Sequence, residues 1–334
     1  MAPLSEVISM LRGQAFGKVS LPGITLAGQT IIVTGANTGL GLACAKHLAR
    51  KRASHIILAC RNAAKGQKAL ESIVHETNCK PHTKLSVWEL DLSNYRSVLK
   101  FGERVRTELS RLDAFIANAG MEIQEYREAE GLEIHLTVNV VSTFLSAIAV
   151  LPKLRSTAKD HNVKTMLTFC GSMYHIFGPD SEFDKGLPED VDMFDALSCS
   201  DPAKTDIIWR YALSKLMVHQ CFHQLVATMA KGDWADVVVN VINPGWCGTE
   251  LSRAKVGSIG ERGCFTMIGW TAEKGSRMYV YALATGRPSH GKYLAESQSK
   301  AESQYVQSER GRAIGEKMWR DLFNRLENIA PDVT

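Results

Sequence analysis

The stretch TGANTGLG, Thr34 to Gly41, follows a short apolar run, Thr30 to Val33, and opens into an amphipathic one, Leu40 to Leu48. That order reads as strand, glycine turn, helix. At such a junction the first N–H groups of the helix have no partner inside it, and the helix dipole leaves partial positive charge there, so a pyrophosphate binds favourably. Gly35, Gly39 and Gly41 permit the tight turn, close approach of backbone to phosphate, and close packing of helix on strand. Asn37, Thr38 and Leu40 complete the loop. Three glycines so close together can also form an ordinary turn, and the rest of the chain has to decide.

Outward from this loop, strand-like apolar runs recur at Thr30–Thr34, His55–Cys60, Lys84–Leu90, Ala114–Asn118, Lys164–Cys170 and Asp236–Ile242, separated by segments of helical period. The alternation requires a parallel sheet with crossover helices on both faces, a doubly wound α/β fold. Its ligand belongs outside the carboxyl ends of the strands, where the winding reverses. No repeat, low-complexity tract or polar linker divides the 334 residues, and an apolar content of 45% can bury a full core. We therefore expect one domain from residue 29 to 334, preceded by an extension, residues 1–28. A short amphipathic turn there (Val7, Ile8, Met10, Leu11) is expected to pack on the body of the protein rather than on lipid.

Composition narrows the function. The 39 basic and 35 acidic side chains leave +4 with no dense basic run, which gives no support to a nucleic-acid partner. Eight cysteines are scattered without CxxC pairs or histidines at ligand spacing, so neither a metal site nor a disulfide framework is indicated. A reducing, cytoplasmic setting follows. No stretch approaches the roughly 20 apolar residues of a membrane span, and no signal peptide is evident, so a soluble chain with no integral membrane segment is expected.

The candidate site residues fall after strands or on the helices that follow. Strand two ends in ACRN, where Arg61 and Asn62 stand in place of the carboxylate that would hold ribose hydroxyls; an arginine here favours a 2′-phosphate, although it also suits a solvated loop. After strand three, Asp91 and Leu92 lie where an adenine amino group would be held. Asp91 or Ser93 could equally cap the helix Asn94–Leu109. Strand four runs into Asn118, Ala119 and Gly120, a small turn that lets a ligand pass close to backbone while Asn118 ties strands together. Asn139 is a poor helix former in an apolar stripe and reads first as a buried, satisfied amide.

Strand five delivers FCGS, ending at Ser172, and a later helix carries YALSK, with Tyr211 and Lys215 one turn apart on one face. A free phenol is a poor base at neutral pH. A positive charge at ~4 Å in an effective dielectric of ~20 contributes ~4 kcal/mol, about three pH units, so the lysine together with an oxidised nicotinamide would bring the tyrosine toward working pH. Ser172 would then steady a substrate oxygen. A YxxxK pair alone is commonplace on helix surfaces.

Together the glycine loop, DL, NAG, Ser172 and YALSK occur in the order typical of the short-chain dehydrogenase/reductase family, and NPGWCGT, Asn243 to Thr249, resembles its segment after strand six. The resemblance spans residues 30 to 250. It implies a Rossmann-type sheet of order 3-2-1-4-5-6-7, a catalytic set of Asn139, Ser172, Tyr211 and Lys215, and a water joining Asn139 to Lys215. It further implies that Lys215 holds the nicotinamide ribose and that Pro244, Gly245, Trp246, Cys247 and Thr249 line the nicotinamide end. ACRN, the histidine of GSMYH and the C-terminal GKYL, SERG and KMWRDLFNRLE resemble the retinol-dehydrogenase-like branch and its fungal relatives in secondary metabolism. Cys247 and the long separation of Ser172 from Tyr211 depart from compact members. The expectation is an NADP(H)-dependent oxidoreductase acting on a ketone or aldehyde of a sizeable apolar molecule. Redox-neutral chemistry and a nucleotide-sensing module are the alternatives, and a homodimer is compatible with the family. Lid insertions are expected at about 173–210, with a solvated acidic rim on apolar anchors, and at about 250–290, with Val256, Ile259, Phe265, Met267, Ile268 and Trp270.

Overall fold

Alternation of side chains across extended runs generates the architecture. A computed structural model describes residues 2–198, 207–248 and 268–331. Its parallel strands are β1 (Thr30–Thr34), β2 (His55–Cys60), β3 (Lys84–Glu89), β4 (Ala114–Ala117), β7 (Thr165–Cys170), β8 (Val237–Asn243) and β9 (Tyr293–Ala295). An antiparallel β10 (Gln298–Lys300) closes one edge, giving the order β10-β9-β8-β7-β4-β1-β2-β3. The expected 3-2-1-4-5-6-7 order is present, renumbered because a separate hairpin, β5 (Glu128–Ala129) and β6 (Leu132–Glu133), intervenes. Successive residues feed two cores: Ile32, Phe115 and Ala117 enter one, Ile31, Val33, Ala114 and Ile116 the other. Strands buried on both faces read as near-continuous apolar runs, and β8 does, with all its residues buried and only Asn240 and Asn243 polar.

Helices α2 (Gly39–Arg50), α3 (Ala63–Thr77), α4 (Tyr95–Glu108), α5 (Ser142–His161), α6 (Met193–Leu197), α7 (Ile207–Met229), α8 (Ala272–Thr285), the turn α9 (Gln304–Gln307) and α10 (Glu309–Ile329) follow an N-terminal α1 (Leu4–Phe16). Neither Asp91 nor Ser93 caps α4. Asn94 does, accepting from the Ser97 N–H at 2.9 Å, while Asp91 accepts from the Ser93 amide and hydroxyl.

Other expectations need correction. Leu136–His161 is long and apolar enough to span a membrane by length and composition, yet 83% of its most apolar window is buried inside the molecule, as a central core helix requires. Its first turn, Leu136–Val141, is π-helical, a wider coil that sequence periodicity did not suggest. The insertion after β7 keeps the expected form, an exposed acidic rim on buried apolar anchors. Phe183, Met193, Phe194 and Leu197 are fully buried anchors, and the acidic residues meet α10: Asp184 with Arg310, Glu189 with Arg320, and Asp192 and Asp195 with Arg325. Of the second insertion, Val256, Ile259, Phe265 and Met267 lie outside the described residues. Its later part is the body helix α8, which packs on α2 with Met278 and Tyr279 buried.

Candidate active site

The glycine loop sits at the carboxyl edge of β1. Gly35 and Gly39 adopt φ of +65° and +56°, which side chains resist. A Cβ on Gly41 would come within 2.5 Å of the Gly35 carbonyl oxygen and 2.7 Å of Asn118 Nδ2, so only glycine lets α2 seat against the loop. Thr38 precedes α2 without a capping side-chain bond, so that side chain does not consume the helix's first amides. The cradle therefore fits a pyrophosphate.

Asn118 performs the expected tie. Its Nδ2 donates to the Thr34 carbonyl at 2.7 Å, joining β4 to β1, and its Oδ1 accepts from the Tyr279 hydroxyl at 2.7 Å. Gly35, Asn37, Thr38, Gly39 and Leu40, the Asn118–Ala119–Gly120 turn, Ser172, Tyr211, Lys215 and Pro244–Cys247 then line one cleft of about 330 Å³. Arg61, Asp91 and Leu92 line an adjoining recess of about 190 Å³ that shares Gly35, Asn37, Ala119 and Gly120 with it. Asn62 lines neither: its side chain accepts from the Lys65 N–H and caps α3, because it stands where that helix has unsatisfied amides. Thr249 lies outside the described residues.

At the other end of the cleft, Lys215 Nζ donates to the Cys170 carbonyl at 2.8 Å and stands 5.6 Å from the centre of the Tyr211 ring. Ser172 accepts from the Tyr174 N–H at 3.1 Å and hydrogen-bonds Tyr211. Burial holds the Tyr211 phenol well above its ordinary range, with the charges of Glu122 and Cys170 acting the same way and Ser172 against them. Burial lowers Lys215. The expected lowering of the phenol is thus not found in the chain by itself: desolvation of a 9%-exposed side chain outweighs a nearby ammonium committed to a carbonyl. Burial favours the protonated phenol, and the Tyr211 and Ser172 hydroxyls meet at the cleft wall.

Asn139 Oδ1 accepts from the Met121 N–H, and its Nδ2 donates to the Met121 carbonyl and the Ser214 hydroxyl. The buried, satisfied amide is therefore what the fold uses, fixing the segment after Gly120. A Cβ on Gly120 would stand 3.2 Å from Asn139 Oδ1 and 3.8 Å from Lys215 Nζ, so the two groups flank one glycine.

Two residues were missed from sequence. His175 donates from Nδ1 to the Ser172 carbonyl at 2.7 Å and accepts from the Ser303 N–H on Nε2; burial depresses it to about 3, so it remains neutral and pins the serine turn. Gln14 of α1 reaches across the chain: Oε1 accepts from the Trp246 N–H at 2.8 Å, and Nε2 donates to the Trp246 and Ile268 carbonyls. The backbone amide of Trp246 is therefore already engaged by protein. A glutamine in an amphipathic stretch carries no signal until its long-range partner is known.

With the 36% identity over 329 residues to a short-chain dehydrogenase/reductase, dmxR8, of Cryptosporiopsis sp., covering 98% of this chain and 99% of that one, the family is decided. The chain belongs to the short-chain dehydrogenase/reductase family. The short chain dehydrogenase family model matches residues 29–166. The short chain dehydrogenase FGM9 of Gibberella zeae is 34% identical over 94% of this chain and 90% of its own, which places the protein in a fungal branch of the family. The solved short-chain dehydrogenase from Shigella flexneri, complexed with NADP, shares the fold at TM-score 0.59 and 20% identity over 83% of this chain and all of that one. The Sphingobium yanoikuyae enzyme in complex with NADPH does so at 0.55 and 19%, over 77% and 84%.

In this dehydrogenase the Gln14 clamp yields a direct expectation. Gln14→Ala should speed hydrogen exchange at the Trp246 amide by at least about tenfold, equivalent to ~1.4 kcal/mol, with β1 amides unchanged. Unaltered protection at Trp246 would show that the clamp does not hold the segment.

Proposed function

We propose that the protein reduces a ketone or aldehyde on a sizeable, largely apolar molecule with NADPH, reversibly. The observation that carries this reading is the convergence of Ser172, Tyr211 and Lys215 on the cleft that begins at the glycine cradle. When bound, the dinucleotide supplies the hydride. The protein's share is to hold and move a proton. Tyr211, kept protonated by burial, gives its hydroxyl proton to the carbonyl oxygen as that oxygen gains charge, and Ser172 donates a hydrogen bond to the same atom. The Lys215 ammonium, 5.6 Å from the phenol ring, stabilises the phenolate that results. Gly35, Gly39, Leu40 and the first turn of α2 would hold the pyrophosphate. The exposed Arg61 guanidinium in the adjoining recess suits a 2′-phosphate, and Asp91 suits the adenine amine. The fungal relatives fit a role in secondary metabolism, and Asn139 would serve the catalytic set by holding Met121 and Ser214.

Two experiments test the reading. Tyr211→Phe should lower the turnover of carbonyl-dependent NADPH oxidation by about 100-fold or more while NADPH binding, followed by fluorescence, persists; wild-type turnover in the variant would remove the proposed acid. Arg61→Ala should weaken NADPH about tenfold and change NADH by less than about twofold. Equal loss for both nucleotides would contradict recognition of the 2′-phosphate.

A further inference from the structure

The first helix, α1, carries apolar side chains on two faces. Toward the body, Gly13 and Gln14 are buried, Val7 and Met10 are half-buried, and Glu6 turns inward to accept from the Gln304 N–H at 2.6 Å. On the other side Leu4, Ile8, Leu11 and Ala15, spaced by four, three and four residues, fall on one exposed stripe. Leu4 is 74% exposed and Phe16, at the helix end, 82%. Five of the seven large apolar side chains that stand exposed among the described residues lie within residues 4–21, and a concentration of that kind marks a contact surface where scattered single ones would not. Part of the turn expected to pack on the body, Ile8 and Leu11, therefore faces away from it.

Charge decides what kind of contact this is. Arg12, next to the stripe by spacing, and Lys18, just beyond the helix, are exposed, and neither forms an ion pair among the described residues. Ser5, Ser9 and Arg12 line, with Ile8 and Phe16, an open groove of about 510 Å³. Glu296 in the same groove is neutralised by Lys300. The face is thus apolar with uncompensated cations and hydroxyls along one border. A second copy meeting it through a two-fold axis would set those cations against their own kind. An anionic bilayer supplies what the face lacks, hydrocarbon for the stripe and phosphate for the cations.

We propose that the outward face of α1 docks the enzyme on an anionic membrane surface, with Leu4, Ile8, Leu11 and Phe16 entering the acyl boundary and Arg12 and Lys18 meeting lipid phosphates. The contact is peripheral, because a helix of 13 residues lies in the interface and is too short to span it. The helix is no loose tether. Gln14, on its inner face, accepts from the Trp246 N–H, and the Trp270 indole N–H donates to the Gln14 carbonyl at 2.7 Å. Trp246 lines the cleft, so a docked α1 holds the cleft in a fixed relation to the surface. The proposal stands apart from the reductase reading, and either can fail alone.

The test sediments the full-length protein with sucrose-loaded vesicles of phosphatidylcholine alone and of phosphatidylcholine with about one-third phosphatidylserine. At low salt the mixed vesicles should bind it about tenfold or more tightly than the neutral ones, and about 0.5 M NaCl should remove most of that preference. Ile8→Ser with Phe16→Ser should weaken binding to the mixed vesicles at least about tenfold, and Arg12→Ala with Lys18→Ala should bring it near the neutral level. All four side chains are exposed, so melting curves and NADPH binding should match the wild type. Phe16→Ser alone, with a loss of about threefold or more, serves if the double serine variant does not fold. Absence of binding to the mixed vesicles, or binding that folded variants retain, overturns the proposal. So does a stripe that joins two copies instead, seen in light scattering as a dimer that the serine variant converts to monomer without any vesicle binding in the wild type.

Discussion

One hydrogen bond sets the geometry of the site: Lys215 Nζ to the carbonyl of Cys170, at the end of β7. It joins the face of α7 that carries Tyr211 to the strand whose next residues lead to Ser172. Two segments far apart in the chain thereby present their hydroxyls to one point. Because β7 pairs with β4, and β4 with β1, that point lies along the same sheet edge as the glycine loop. A buried ammonium is costly without a partner, so the carbonyl contact serves both the fold and the placement of the phenol.

The same economy recurs around it. Asn118 ties β1 to β4 and receives Tyr279 from α8; Asn139 ties the segment after Gly120 to α7; His175 ties the Ser172 turn to Ser303. Each of these buried polar groups is bonded, and each bond crosses between elements that carry part of the cleft. These interior polar residues act as struts, and the hydroxyls of Ser172 and Tyr211 with the Lys215 amine stand at the cleft wall.

The sequence made much of this legible. The six apolar runs lie within a residue or so of their strands because a strand buried on both faces can hardly be written otherwise. The glycine loop was readable because its φ angles and its contact with Asn118 exclude side chains. Local patterns do not carry long-range partners, and there the reading fell short. Gln14 and His175 look ordinary until the residues they meet are known, and nothing in the sequence shows that the Asn62 side chain is taken up by a helix start. The acidic insertion was legible as a solvated rim on apolar anchors, but its partners were not, because the arginines of α10 stand more than a hundred residues away. The protonation of Tyr211 in the chain by itself was not legible for a related reason. Spacing along a helix reveals the neighbouring charge but not the depth of burial, and burial dominates.

The central claim is that this buried phenol remains an acid over the working range and gives its proton to the carbonyl oxygen. The pH dependence of turnover, measured in both directions on one ketone and alcohol pair, tests it most directly. Because burial raises the phenol above its ordinary range, its protonated form persists below that raised value. Carbonyl reduction should therefore stay level from about pH 6 to 9, while alcohol oxidation, which needs the deprotonated form, should climb about tenfold per unit across the same interval. A reduction rate that falls away with an apparent pKa near 7 and is altered by Tyr211→Phe would contradict the account.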